Sequence, residues 1–314
     1  MTDTLIIGTR GSDLALWQAR HVKARLERRF RSLTVALDVI KTTGDKILNQ
    51  ALSAIGDKGL FTKEIEQALL DRRIDIAVHS LKDLPTETPA GLRIAAVTRR
   101  EDVRDVLISR QWRSIDALPE GALIATGSLR RTSQLRHLRP DVEIVDIRGN
   151  LNTRFAKFDA SKWDGMLLAH AGVKRLGWSD RIAQVIPAHL ILPAVGQGAL
   201  GIEIRDGDDA ALRAVRSLAH PVTFAATAAE RALLRELEGG CQVPIGAWAR
   251  MEEGRLVLDA MVGSIDGTVR LDATGSVADL AHAEQLGRRL AKKLYQHGAK
   301  EILDDIRASA PRRA

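Results

Sequence analysis

One cysteine, Cys241, is all that the 314 residues contain. That excludes an intramolecular disulfide and any multi-cysteine metal site. Aromatic residues make up 4%, so the cores should be aliphatic and platforms for stacking nucleic-acid bases scarce. No window approaches the ~18 consecutive apolar residues of a membrane span. No basic stretch with a following apolar run precedes the first strand-like segment, Leu5-Ile6-Ile7-Gly8. Together these absences set the expectation of a soluble, cytoplasmic protein. Internal repeats and low-complexity linkers are missing as well.

What is present fits an ordinary globular chain, 45% hydrophobic and 28% charged, long enough for about two or three domains. The formal net charge is +7, carried by 35 Arg and 12 Lys. A basic balance invites a nucleic-acid reading, but the cations are not gathered into one run and lack interleaved aromatics. Arginine is the better fork for carboxylates and phosphates.

The first two thirds alternate apolar runs with helical patterns. Strands are expected at Leu5–Thr9, Leu33–Ile40, Ile74–Ser80, Leu92–Val97, Asp105–Ser109, Ala122–Thr126 and Glu143–Ile147. Helices are expected from Ser12 to about Arg28, over Phe61–Arg72, and starting near Ser128 and Asn150. This rhythm predicts α/β sheets with much parallel pairing. After about residue 222 the pattern changes to a helix over Thr223–Glu238, strands at Val243–Met251, Arg255–Val262 and Thr268–Thr274, and a helix over Val277–Tyr295. That order predicts a small α+β domain, followed by a frayed tail ending Pro311-Arg-Arg-Ala.

The functional signal is arginine at strand-to-helix turns. In Thr126-Gly127-Ser128-Leu129-Arg130-Arg131, Ser128 suits an N-cap, yet two cations occupy the first helical turn, where the helix dipole disfavours them. An anion at the turn would reverse that preference. Asp146-Ile147-Arg148-Gly149-Asn150, with Arg154 four residues on, repeats the pattern, and Thr9-Arg10-Gly11-Ser12 echoes it more weakly. Turns at strand carboxyl ends are where open α/β sheets bind ligands, so the three together favour a polyanion site. Asp83, in Val78-His79-Ser80-Leu81-Lys82-Asp83-Leu84-Pro85, is a carboxylate among cations, suited to general acid work or cation stabilisation; a turn aspartate before proline is the plain alternative. His79 reads as a structural histidine at a strand end.

Gly196-Gln197-Gly198-Ala199-Leu200-Gly201 matches a dinucleotide fingerprint letter by letter, but leads into the strand-like Ile202-Glu203-Ile204 rather than a helix. Nicotinamide and flavin binding are therefore rejected. Cys241 follows Glu238-Gly239-Gly240 at a helix end, so its thiol is expected on an exposed loop, open to covalent chemistry.

Seven collinear segments then resemble the porphobilinogen deaminase family. They are Arg10-Gly-Ser12-Asp-Leu-Ala-Leu-Trp-Gln-Ala, Gly59-Leu-Phe-Thr-Lys-Glu, Asp75-Ile-Ala-Val-His-Ser-Leu-Lys-Asp-Leu-Pro, Gly127-Ser-Leu-Arg-Arg, Ile147-Arg-Gly-Asn-Leu-Asn-Thr-Arg154, Leu192-Pro-Ala-Val-Gly-Gln-Gly and Leu237-Glu-Gly-Gly-Cys-Gln-Val-Pro-Ile-Gly. Gly11 and Asp13 depart from a Gln/Pro pairing common in the family and leave Arg10 and Ser12 in place.

The resemblance implies two α/β lobes of the type-2 periplasmic-binding-protein kind with mixed, mostly parallel sheets, plus a small α+β C-terminal domain. The boundaries expected are 1–99 with 197–219, then 100–196, then 220–314. It implies a dipyrromethane cofactor in thioether linkage to Cys241, and polymerisation of four porphobilinogens to hydroxymethylbilane with release of ammonia. Asp83 matches the family's catalytic aspartate. Arg10, Arg130, Arg131, Arg148 and Arg154 match its carboxylate-binding arginines, and Ser12, Lys82 and Ser128 its supporting polar ligands. Lys58 and Phe61 fall in an expected active-site loop. A monomer acting on porphobilinogen is implied, with no metal, nucleic acid or membrane partner. Two rivals share some of these features: a non-catalytic two-lobed carboxylate receptor, which would not need Cys241, and a salt-sensitive nucleic-acid binder.

Overall fold

The computed structural model describes residues 4–46, 59–239 and 243–309. They fall into two compact units. The first comprises residues 4–46, 59–101 and 198–224; the second comprises 102–197, 225–239 and 243–309.

The first unit is built on five strands: β1 (Thr4–Thr9), β2 (Thr34–Val39), β3 (Ile76–Ser80), β4 (Leu92–Val97) and β10 (Leu200–Arg205), in the order β2-β1-β3-β10-β4. β1 runs parallel to β2, from Thr4 opposite Thr34 to Thr9 opposite Val39, and parallel to β3. β10 is antiparallel to both β3 and β4, with a bulge between Ile202 and Glu203. Its helices are α1 (Asp13–Arg29), α2 (Thr43–Lys46), α3 (Lys63–Leu70) and α7 (Asp209–Arg216).

Ser12 caps α1, its Oγ accepting from Ala15 N at 3.4 Å. Gln18, Ala19, Val22 and Leu26 form the buried stripe of this helix. One core gathers Leu5, Ile7, Val22, Leu26, Val78, Ile202 and Val215; another gathers Ile40, Ile65, Leu69, Ile74, Ala77 and Leu92. Apolar residues pack from both faces of the sheet, which is why β3 reads as an unbroken apolar run.

The second unit holds two sheets. One contains β5 (Asp105–Ile108), β6 (Leu123–Ala125), β7 (Glu143–Val145), β8 (Gly165–Ala169) and β9 (Ile182–Val185), in the order β7-β6-β8-β5-β9. β7-β6-β8 are parallel and β5 is antiparallel to its neighbours β8 and β9. In each five-stranded sheet the fourth strand is thus the reversed one, β10 or β5, reached where the chain passes from one unit to the other. Helices α4 (Leu129–Leu138), α5 (Leu151–Asp159) and α6 (His170–Arg175) complete this part.

The other sheet is the meander β11 (Ile245–Glu252), β12 (Arg255–Gly263) and β13 (Arg270–Val277). With α8 (Pro221–Glu236), α9 (Ala283–Gln296) and α10 (Ala299–Ser309) it surrounds its own core of Leu233, Leu237, Ile245, Leu258, Val262, Leu286, Leu290, Leu294 and Leu303. Helix α9 approaches α8 at Gly287, where a Cβ would lie 2.1 Å from the carbonyl oxygen of Ala229.

The α/β rhythm and the α+β end are both present. Several boundaries moved. β13 begins at Arg270, because Asp266 Oδ1 accepts from the amide and hydroxyl of Thr268 and extends the preceding turn. It then runs on to Val277, and Asp279 caps a short turn before α9 begins at Ala283. Helix α10 occupies what reads as the start of a tail; Leu303 is its fully buried anchor.

Candidate active site

In the first unit the expected residues lie just beyond strand carboxyl ends. Arg10 and Ser12 follow β1. Ser80 ends β3, and Leu81–Asp83 form a single 3-10 turn. Leu81 is 1% exposed, its amide donating to Ala199 O at 3.0 Å, and Leu84 is buried too. Between these two anchors Lys82 is half-buried and Asp83 exposed. Gln18 Nε2 donates to Ser80 Oγ at 2.7 Å, tying α1 to the strand end that presents the turn. The Arg10 guanidinium lies 4.2 Å from the centre of the Phe61 ring, a cation–π contact that orients the side chain.

In the second unit the two remaining arginine turns abut. A Cβ on Gly127 would stand 2.7 Å from Ile147 O, so glycine lets the turn before α4 lie against the turn before α5. Asn150 caps α5, accepting from Thr153 N at 2.9 Å. Arg148 Nε reaches Asp146 Oδ2 at 3.4 Å, and Arg154 Nε donates to Gly149 O at 2.8 Å. Ser128 holds the N-cap position of α4 with extended backbone angles, and its hydroxyl makes no capping bond.

Arg130 and Arg131 are 4% and 5% exposed. The anion they meet is Asp105, at the head of β5 and fully buried. Arg130 Nη2 donates to one carboxylate oxygen and Arg131 Nη2 to the other, each at 2.8 Å. Their Nη1 atoms donate to the carbonyls of Leu192 and Leu167. Gln197 Nε2 adds a bond to Asp105 at 2.8 Å and one to Val103 O at 2.7 Å. Burial alone would raise the Asp105 carboxyl; the two guanidiniums outweigh it and, with Gln197, hold it well below the usual carboxylate range.

One carboxylate against two guanidiniums leaves one positive charge in excess in a buried place. Arg130 Nε and Arg131 Nε have no hydrogen-bond partner among the described residues. Both Nε atoms are themselves buried, and the Nη atoms are engaged by Asp105 and the two carbonyls, so the protein itself holds these guanidiniums in place.

Cys241 and Lys58 lie outside the described residues. Asp105 was missed in the sequence because it reads as the first letter of an apolar strand. Gln197 was seen only as the middle of a discarded glycine motif. That motif leads into β10 and not into a helix, as its context indicates. His79 is buried, 3.5 Å from Glu203. Among the described residues no three His, Cys, Asp or Glu side chains are grouped to hold a metal ion, and no helix is long and apolar enough to cross a membrane.

Two family models match the chain. "Porphobilinogen deaminase, dipyromethane cofactor binding domain" covers residues 5–213, and "Porphobilinogen deaminase, C-terminal domain" covers residues 224–296. The porphobilinogen deaminase of Chlorobium luteolum is 55% identical over 313 residues, 98% of this chain and 100% of that protein. That of Chloroherpeton thalassium is 55% identical over 310 residues, covering 98% and 99%. Among solved structures, the Bordetella pertussis BvgS periplasmic VFT2 domain aligns with 69% of this chain and 86% of its own, at 13% identity and a TM-score of 0.42.

Proposed function

This chain belongs to the porphobilinogen deaminase family, and we propose that Asp83 and the arginines that match the family's motifs carry the family's reaction. That reaction joins four porphobilinogen units into hydroxymethylbilane, releasing ammonia at each addition.

The observation that carries the assignment of Asp83 is its placement: an exposed carboxyl on a turn pinned on both sides by buried leucines, with Lys82 adjacent. Leu81 and Leu84 keep the backbone fixed, so the carboxyl is offered without a large reorganisation. Asp83 assists departure of the amine from porphobilinogen, and its carboxylate then stabilises the positive charge left on the pyrrole nitrogen. It is also a base for the proton that leaves the attacking α-carbon once the new carbon–carbon bond has formed.

The arginines bind the carboxylates of the substrate and of the growing chain. Arg10, oriented by Phe61 and accompanied by Ser12 and Lys82, serves in the first unit. Arg130, Arg131, Arg148 and Arg154, with Ser128, serve in the second. Asp105 fixes the first two of these. The dipyrromethane, when bound, supplies the free pyrrole α-carbon on which the chain is built. We assign its attachment to a thioether at Cys241, the chain's one thiol. By the resemblance, Lys58 and Phe61 are assigned to the family's active-site loop.

The chain reads as three domains, 1–99 with 197–219, 100–196, and 220–314; the separate core around α8 and β11–β13 supports the third. A monomer in the cytoplasm, where a lone thiol stays reduced, with porphobilinogen as its partner and no nucleic acid, completes the reading.

Asp83→Asn tests it. Turnover should fall by roughly 10²–10⁴-fold while the intact mass still includes the cofactor. Turnover close to that of the unaltered enzyme would sink the assignment.

A further inference from the structure

Three buried titratable side chains of the first unit have no part in this chemistry. Glu66 on α3, His79 on β3 and Glu203 on β10 are 8%, 6% and 1% exposed. The β3–β10 register sets Ala77 opposite Glu203 and His79 opposite Gly201. His79 and Glu203 are therefore diagonal neighbours on one face of the sheet, with Nε2 and Oε2 3.5 Å apart. Helix α3 packs over β3 and β10. Glu66 Oε1, His79 Nε2 and Glu203 Oε2 are all buried without a hydrogen-bond partner among the described residues.

Two carboxylates in such surroundings do not both ionise without a cation. Burial pushes the Glu66 carboxyl up; the Thr62 hydroxyl and His79 pull it down, and Glu203 and Glu64 push it further up. The neighbouring strands add little charge on this face. β4 contributes Leu92, Ile94 and Val97, and β1 contributes Gly8. Arg205 lies two residues beyond Glu203 on the same face of β10. It is engaged by Asp208 at 2.6 Å, Asp75 at 3.4 Å and the carbonyl of Leu69 at 2.8 Å. His79 is the basic side chain paired with Glu203 on this face.

The same face seats the turn that carries Asp83. Gly201, opposite His79, has no side chain; a Cβ there would come within 2.9 Å of Leu81 Cδ1 and 3.1 Å of Leu84 Cδ1. The leucines that pin the turn therefore rest over β10 beside His79, one residue before Ser80.

We propose that Glu66, His79 and Glu203 form a buried proton-holding cluster beneath the Lys82–Asp83 turn, and that His79 and Glu203 are positioning residues for Asp83. The proposal rests on the reading of Asp83 as the catalytic carboxyl. The cluster is neutral when its imidazole and two carboxyls together hold two protons. Loss of a further proton leaves uncompensated negative charge in the core and loosens the turn. Positioning is thus complete at lower pH and is lost as the pH rises.

The test is the pH profile of kcat and KM for cofactor-loaded enzyme, beside His79→Gln and Glu203→Gln. Each variant should lower kcat roughly tenfold with KM within about twofold, and His79→Gln should abolish the alkaline fall in kcat. Wild-type profiles in both variants would overturn the proposal. Should either variant fail to fold, NMR of histidine-labelled wild-type enzyme decides. The His79 imidazole must lose its proton over the pH interval in which kcat falls, and loss outside that interval overturns the proposal. Asp83→Asn separates the two readings: full turnover there removes the catalytic assignment and leaves the His79 titration as it is.

Discussion

Replacing Asp105 by asparagine removes one charge and strands two. In the native chain the two carboxylate oxygens accept from Arg130, Arg131 and Gln197, all at 2.8 Å, at a residue with no exposed surface. Asparagine keeps one acceptor oxygen and turns the other into a donor facing donors. Breaking a buried ion pair from one side costs about 3–5 kcal/mol. With a urea dependence of about 1–3 kcal/mol per molar, the unfolding midpoint should drop by roughly 1 M or more. Tryptophan fluorescence reads it, since Trp112, Trp163, Trp178 and Trp248 all belong to the second unit. The acid dependence supplies the sign. The folded state holds this carboxyl below its unfolded value, so its contribution is complete at neutral pH. The contribution is lost as the pH falls below the ordinary carboxylate value of about 4, at up to about 1.4 kcal/mol per pH unit. Asp105→Asn should flatten that acid loss. A midpoint within about 0.3 M of wild type, with the acid slope intact, would refute the reasoning.

Other substitutions probe separate joints. Glu230 is fully buried, its two oxygens accepting from Gly196 N at 2.7 Å and Ala249 N at 2.8 Å. Glu230→Gln leaves an amide donor facing one of them and should cost about 1–3 kcal/mol, read as a lowered Tm. Gly287→Val forces a side chain into the Ala229 carbonyl and should destabilise by about 1–3 kcal/mol or more, with calorimetry as the check. Arg307, beyond the family-matched residues, donates to Leu237 O at 3.0 Å and Glu238 O at 3.2 Å. Arg307→Ala should cost about 0.5–1.5 kcal/mol for each bond lost, by urea unfolding.

The strands best read from sequence were those with both ends marked. Leu92–Val97, bounded by Gly91 and Thr98, is found with those limits. β8 and β9 escaped because runs of only five and four residues carry little periodic signal. The arginine turns were legible because a cation in a first helical turn contradicts the dipole. The partner that resolves the contradiction, Asp105, was not: its role depends on β5 lying antiparallel to β8, a pairing no local pattern encodes. Glu66 and Glu203 were invisible for the same reason. Each looks like an ordinary surface acid until α3 and β10 are laid on one sheet face.

The account turns on a covalent dipyrromethane at the chain's one thiol. The measurement that tests it most directly is the intact mass of the purified protein beside a Cys241→Ser variant, each before and after incubation with porphobilinogen. The account predicts an added mass equal to two linked pyrrole units on the wild-type chain and none on the variant. A wild-type chain that stays unmodified after incubation, or a variant that acquires the same stable adduct, would contradict it.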